Sequence, residues 1–239
     1  MKLNRILSSM ALSALLVTPA AAQRQFDITT KPGAPVQSTM YGIFFEDINF
    51  GADGGLYAEM VENRSFEFPN RLMGWNTWGN VSVSSIKPAF DRNPNYVVLE
   101  PSGHREKSTG IENHGFFGMG LKKDMKYNFS VYGRLHLLNG KQAKIRVELV
   151  DENNNPMERK SITITNNKWQ KYSVELTSKQ TLQKGYMRIF LEGNESVDLD
   201  HVSMFPEDNW NGLRADLVKD LEDLHPGIFR FPGGCIVEG

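Results

Sequence analysis

The chain has 239 residues, 40% of them hydrophobic and 23% charged, with a formal net charge of -1. That balance belongs to soluble globular proteins and excludes the basic footprint of a nucleic-acid binder or of a protein held on an anionic membrane surface. The length allows one large domain or two small ones, and the lone cysteine, Cys235, excludes an internal disulfide framework.

The N-terminus reads as a secretory signal over residues 1–22. Lys2 and Arg5 supply the positive start, Ile6 to Val17 the apolar stretch, and Ala20-Ala21-Ala22 a small-residue cleavage site. The apolar stretch is too short for the roughly 20 residues of a membrane span, so export to the periplasm or the medium is expected, without a membrane anchor. Residues 23–38 follow as a short strand, Phe26-Asp27-Ile28-Thr29, and a linker holding Pro32 and Pro35.

Residues 39–70 open with a strand, Thr39 to Ile48, whose apolar run stops at Glu46 and Asp47. Such a run ending in polar residues is the pattern of a buried parallel strand emerging into a loop. A glycine-rich turn spans Gly51 to Gly55, and Leu56 to Val61 carries helix formers, so a loop or a helix follows the strand.

From 71 to 206 the texture changes to alternation of period two. Tyr127/Phe129/Val131, Ile145/Val147/Leu149, Ile162/Ile164, Tyr172/Val174/Leu176, Met187/Ile189/Leu191 and Val197/Leu199 each alternate with polar residues, and turn clusters such as Asn153-Asn154-Asn155-Pro156 separate the runs. This predicts an antiparallel β-sandwich with its own core. Residues 207–239 then predict a helix, capped by Asn211 and lined by Leu213, Leu217, Leu221 and Leu224, ended by Pro226-Gly227, and a second buried strand through Phe229-Arg230-Phe231 into Pro232-Gly233-Gly234-Cys235. A strand, an insertion, a helix and a strand make a βαβ unit interrupted on its C-terminal side, where (β/α)8 barrels build their sites. The expected fold is therefore multi-domain: an α/β unit interrupted by an antiparallel β-sandwich.

Several blocks in order carry a resemblance to a known family. Tyr41-Gly42-Ile43-Phe44-Phe45-Glu46-Asp47-Ile48-Asn49, Asp53-Gly54-Gly55-Leu56-Tyr57-Ala58-Glu59-Met60-Val61 and Asn63-Arg64-Ser65-Phe66-Glu67 resemble the start of the α-L-arabinofuranosidases of glycoside hydrolase family 51. Asn211-Gly212-Leu213-Arg214 and Phe229 to Cys235 are similar to the next blocks, and the stretch between them to the carbohydrate-binding-module-like sandwich that many members carry. The resemblance implies that the α/β unit is the first two strands and first helix of a (β/α)8 barrel, interrupted by a jelly-roll-like β-sandwich, and that the protein is a retaining hydrolase that removes terminal α-L-arabinofuranosyl groups from polysaccharides, using two glutamates whose carboxyls stand about 5–5.5 Å apart. It places both glutamates beyond Gly239, so this chain by itself is expected to be inactive. It also implies that the strand near Phe26 belongs to a further sandwich after the barrel.

The same resemblance makes Glu46 a contact of the arabinosyl hydroxyls. A carboxylate at the end of a buried strand needs donors of that kind, although a structural ion pair would also satisfy it. Asp47 is a weaker candidate that could instead fix the loop. Cys235, after two glycines, is placed at the pocket wall, a position compatible with a small buried hydrophobe, and no residue pattern beside it supplies the paired base of a nucleophile. Glu195, in Gly193-Asn194-Glu195, mimics the family's acid/base string but falls in what reads as the last hairpin of the sandwich, so it is taken as a turn residue. Trp75, Trp78, Trp169, Tyr96, Phe116 and Phe117 could stack on sugars, though core packing is the usual duty of aromatics in strands. His104, His114, His136, His201 and His225 lack ligand spacing, and there is no phosphate loop and no G-x-S-x-G elbow, so no metal and no cofactor is expected. The expected partner is an arabinose-containing polysaccharide or oligosaccharide, with the oligomeric state of the full-length enzyme left open. The rivals are a carbohydrate-binding sandwich without catalysis, a barrel hydrolase for another sugar, and an adhesion domain.

Overall fold

A computed structural model describes residues 31–102, 108–137 and 141–232. The expected signal segment, the strand near Phe26 and Cys235 lie outside the described residues. The chain divides into a unit of residues 1–37, with no strand or helix in its described part, and a unit of residues 38–239. In the described part of either, no helix is long and apolar enough to cross a membrane.

In the second unit, β1 (Gly42–Phe44) pairs in parallel with β13 (Ile228–Arg230), with Gly42 opposite Ile228, Ile43 opposite Phe229 and Phe44 opposite Arg230. Everything from β2 to β12 is inserted between them. β2 (Trp75–Trp78), β3 (Asn80–Ser84), β4 (Tyr96–Glu100), β5 (Gly110–Asn113), β6 (Met119–Leu121), β7 (Lys126–Leu135), β8 (Ala143–Val150), β9 (Pro156–Ile164), β10 (Gln170–Thr177), β11 (Leu182–Glu192) and β12 (Val197–Pro206) form two sheets. One has the order β10-β7-β12-β4-β3, the other β2-β5-β11-β8-β9 with β6 also on β11, and all these pairs are antiparallel. The sandwich core is built from the inward phase of the alternation: Phe129 and Val131 of β7, Ile145, Val147 and Leu149 of β8, Ile189 of β11 and Leu199 of β12 are fully buried. Val61 and Phe66, from the segment before β2, belong to the same core.

The structure decides one open reading and corrects three expectations. Leu56 to Val61 forms no helix. Its backbone is spent elsewhere: Ala58 N–H donates to Gly212 O (2.8 Å) and Met60 N–H to Met204 O (3.0 Å), and the Glu59 carboxylate takes the amides of Met60 and Val61. Asn211 does not cap the helix. It sits at φ 49° in a turn closed by Gly212 N–H on Asn209 Oδ1, and α1 (Ala215–Asp223) begins after Arg214, which offers no side-chain cap. The Gly193–Ser196 turn carrying Glu195 is not a hairpin, because β11 and β12 belong to opposite sheets. The two motif strands are three residues each and not buried: Phe44, Ile228 and Phe229 are all about half exposed. A two-stranded sheet has a layer to hide beneath only when more elements pack on it, and none does so among the described residues.

β12 carries a bulge between Asp200 and Ser203 against β7, with His201 at φ 45°. Bulges leave a residue outside the ladder. Among the described residues, Asp200 Oδ2 and His201 Nε2 are buried without a hydrogen-bond partner, and Asp200 Oδ1 accepts only the His201 amide at 2.6 Å. Burial, with the Glu67 charge adding to it, pushes the Asp200 carboxyl up to about 7 from 3.8. The proton is thus held more tightly in the folded state, so this group favours folding most below pH 3.8 and the benefit is lost as pH rises through about 7. Asp200→Asn keeps the shape without the charge. Its stability advantage over the parent, read by urea denaturation, is expected to be near zero at pH 4 and to grow to about 4 kcal/mol at pH 8.

Candidate functional site

Two regions present the chemistry of sugar recognition. The first is at the C-terminal ends of β1 and β13. Because the strands are parallel, the segments that leave them emerge side by side. Phe45 N–H donates to Arg230 O at 3.0 Å, the Phe45 and Phe231 rings lie 5.9 Å apart, and the Arg230 guanidinium lies 4.9 Å over Phe44. Glu46 follows at once, half-buried. Asp47 fixes the next turn by accepting Ala52 N–H at 3.0 Å. The turn folds back tightly: Ile48 N–H donates to Glu46 O and Gly51 N–H to Ile48 O, while Asn49 and Phe50 both adopt left-handed backbone at φ 51° and 62°. Two successive non-glycine residues in that region are costly and mark a segment held by its surroundings. What holds it is the sandwich, since Phe50 packs edge-on against Phe116 at 5.2 Å and Phe117 at 6.2 Å.

The second region is the outer face of the β2-β5-β11-β8-β9 sheet. The outward phase of β11 reads Tyr186, Arg188, Phe190, Glu192, and its neighbours present Asn76 and Trp78 on β2, Glu112 on β5, Lys144, Arg146 and Glu148 on β8, and Arg159 and Ser161 on β9. Trp78 lies 5.2 Å from Phe190, over Gly110, where a Cβ would come within 2.8 Å of the indole. His114 stacks on Tyr186 at 4.4 Å. Between these aromatic pairs, Glu112 accepts from Arg188 Nε (2.6 Å) and Asn76 Nδ2 (3.2 Å) and contacts His114 Nε2 (2.6 Å). Burial works to raise the Glu112 carboxyl, but these hydrogen bonds outweigh it and hold it below its ordinary value. Arg146, 4.7 Å over the Phe190 ring, ties Glu148 (2.9 Å) to Glu192 (2.6 Å). Glu192 is likewise held low, burial being overcome by Arg146 and Lys144. The face therefore offers the partly exposed Trp78 and Phe190 rings and the exposed His114 ring, which covers the buried Tyr186, beside fixed charged donors and acceptors, the complement of a sugar's C–H faces and hydroxyls.

The remaining aromatic candidates separate cleanly. Trp75 is buried against Phe66 and donates Nε1–H to Asn63 O, and Tyr96 is buried. Trp169, just ahead of β10, is pinned by Nε1–H on Lys87 O, by Tyr96 and by the Arg134 guanidinium 4.5 Å over its ring. Those three are structural, Trp78 faces outward, Phe116 is half-buried and Phe117 is 76% exposed. Phe190, Tyr186, Glu112 and Arg188 were not singled out from sequence. The signal was there, in the outward phase of the β11 and β5 alternation. Among the described residues no group of three His, Cys, Asp or Glu side chains could hold a metal ion.

Residues 58–197 match the family model described as "Carbohydrate binding domain". The chain belongs to that family. Along nearly its whole length it is also similar to arabinofuranosidases. It is 36% identical over 250 residues to the extracellular exo-α-L-arabinofuranosidase of Streptomyces chartreusis, covering 96% of this chain and 29% of that protein. It is 31% identical over 240 residues to α-L-arabinofuranosidase 1 of Arabidopsis thaliana, covering 92% and 34%. Among solved structures, arabinose-bound MgGH51 α-L-arabinofuranosidase matches with TM-score 0.73 and 28% identity, over 86% of this chain and 36% of that one. The resemblance to family 51 arabinofuranosidases read from the sequence blocks holds, and the chain spans about a third of the length of the curated relatives it matches.

Proposed function

We propose that this chain is the segment of an exported, retaining α-L-arabinofuranosidase that grips the terminal arabinosyl unit and docks the polysaccharide, while the catalytic glutamate pair is supplied by sequence outside it. The observation that carries this reading is the parallel pairing of β1 with β13 across an inserted carbohydrate-binding sandwich, which sets the segments after both motif strands at one mouth. In this reading β1, α1 and β13 are the opening of a (β/α)8 barrel, whose sites lie at the C-terminal ends of its strands. Glu46 accepts hydrogen bonds from arabinosyl hydroxyls, Cys235 lines the wall, and Asp47 serves by fixing the Glu46 turn. The sandwich binds the polymer on the Trp78–Phe190–Tyr186 face. The substrate is an arabinose-containing polysaccharide such as arabinoxylan or arabinan.

The alternative, a binding module without catalysis in any context, is favoured by one observation, the family match confined to 58–197. Purified 23–239 protein tests the reading. It is expected to release no arabinose from a chromogenic arabinofuranoside yet to bind arabinoxylan oligosaccharides by calorimetry, with Phe190→Ala weakening binding about tenfold. Release of arabinose would overturn the placement of the catalytic pair, and absence of binding would overturn the role of the sandwich. Loss of arabinose release from a version extended downstream when Glu46 is replaced by Gln separates the enzyme segment from the pure binding module.

A further inference from the structure

The β5–β6 connection is an aromatic step between the two regions. It leaves the outer face at His114, which stacks on Tyr186, and turns through Gly115, Phe116, Phe117 and Gly118. Gly115 and Gly118 are both left-handed, at φ 66° and 100°, and a Cβ on either would collide, at 2.8 Å from Met60 O and 2.9 Å from Lys184 Cα. Asn113 Oδ1 accepts Gly115 N–H at 2.9 Å and Glu62 N–H at 3.2 Å, tying the turn to the segment after β1. Phe116 fills a notch that Gly54 leaves open, where a Cβ would stand 2.3 Å from its ring. The loop is thus held from both sides, yet Phe117 at its apex is the most exposed of the large apolar side chains among the described residues, at 76%. Its ring meets Phe50, four residues beyond Glu46, on the strained turn.

We propose that Phe117 is a substrate contact, a stacking platform for the backbone sugar next to the arabinosyl unit, so that the sandwich forms part of the substrate site at the strand ends. The proposal rests on the reading of this chain as an arabinofuranosidase segment. A polymer lying on Trp78 and Phe190 follows β5 past Glu112 and Arg188 for about 13 Å, reaches the His114–Tyr186 stack, and leaves the sheet onto Phe117. From there it meets Phe50 and the turn that carries Glu46. An exposed ring in a turn whose glycines and side-chain anchors fix its position loses little freedom on stacking, which suits it to a ligand and to no core. The occupant is a neutral sugar chain, because rings and fixed polar side chains line this path and no run of one charge does.

The test is fluorine NMR on the 239-residue chain labelled with fluorinated phenylalanine and titrated with an arabinose-substituted xylo-oligosaccharide. The Phe117 resonance is identified by its loss in Phe117→Leu, and that of Phe190 by its loss in Phe190→Leu. Both are expected to shift on titration. Phe117→Ala is expected to weaken affinity about five- to tenfold with the melting temperature unchanged. A shift at Phe190 with none at Phe117 overturns the proposal while leaving polymer binding by the sandwich intact. Absence of a shift at both overturns the proposal together with the reading beneath it.

Discussion

Glu59→Ala is expected to cost about 3–5 kcal/mol of stability in urea denaturation. The Glu59 side chain is fully buried and is the hub that fastens the segment after β1 to the sandwich. One carboxylate accepts Met60 N–H (3.0 Å), Val61 N–H (3.1 Å) and Met204 N–H (2.8 Å), Ser203 Oγ–H (2.7 Å) and Arg64 Nη1–H (3.4 Å). Burial raises its pKa, and the hydrogen bonds from Met204, Ser203 and Val61, with the Arg64 charge, oppose that. Alanine would leave several buried donors without an acceptor, which costs more than the net worth of the bonds lost. Glu59→Gln keeps an acceptor oxygen and the volume, and is expected to recover at least half of the loss. An alanine variant within about 1 kcal/mol of the parent would show that the segment is held by its apolar contacts alone.

Asp198→Ala is expected to lose a similar amount, about 3–5 kcal/mol, at the other end of the same strand, β12. The Asp198 carboxylate is fully buried, with Arg134 Nε at 2.7 Å and His136 Nδ1 at 2.6 Å. Arg134 in turn donates to Lys87 O (2.8 Å) and Ile86 O (3.2 Å) and covers the Trp169 and Tyr96 rings. Without Asp198 the guanidinium is left buried against neutral partners, and the loop before β4 and Trp169 loosen together. The tryptophan emission of the variant is expected to shift to the red, toward that of water-exposed indole. An unchanged spectrum with unchanged stability would mean that the Arg134 packing holds Trp169 without its counter-charge.

Much of the sandwich was legible because period-two alternation records which face of a strand is dry. β7 to β12 announce themselves in this way. β4 does not, since Tyr96-Val97-Val98-Leu99 is buried on both faces and carries no alternation. β5 and β6 are three or four residues long, too short for a period to show. Leu56 to Val61, open to a loop or a helix by sequence, is a loop for a specific cause: good helix formers are overruled by a side chain, Glu59, whose best partners lie about 145 residues away. Asn211 failed as a cap for a related reason, a left-handed turn residue being as typical a use of Asn as a helix cap.

The site was legible in part. Glu46 and Asp47 stood out because a buried-strand pattern stops at them, and Asp47 does fix the turn. Of the aromatic face, Trp78 is legible as a tryptophan in a strand, whereas Phe190 is not, because in β11 the inward residues Met187, Ile189 and Leu191 are apolar too and the outward phase does not stand apart. The Phe50–Phe116–Phe117 contact could not be read at all. It joins residues more than sixty positions apart through rings that have no periodic signature.

The two motif strands lie side by side, in parallel, although the whole sandwich is inserted between them. Disulfide trapping tests it most directly, with Ile43→Cys and Phe229→Cys introduced together in a Cys235→Ser background. Directly opposed positions on neighbouring strands fall within the Cα range that a disulfide spans. One intramolecular 43–229 cross-link is expected on mild oxidation, identified by mass spectrometry of the unreduced digest. Two free thiols, or cross-links only between molecules, would contradict it.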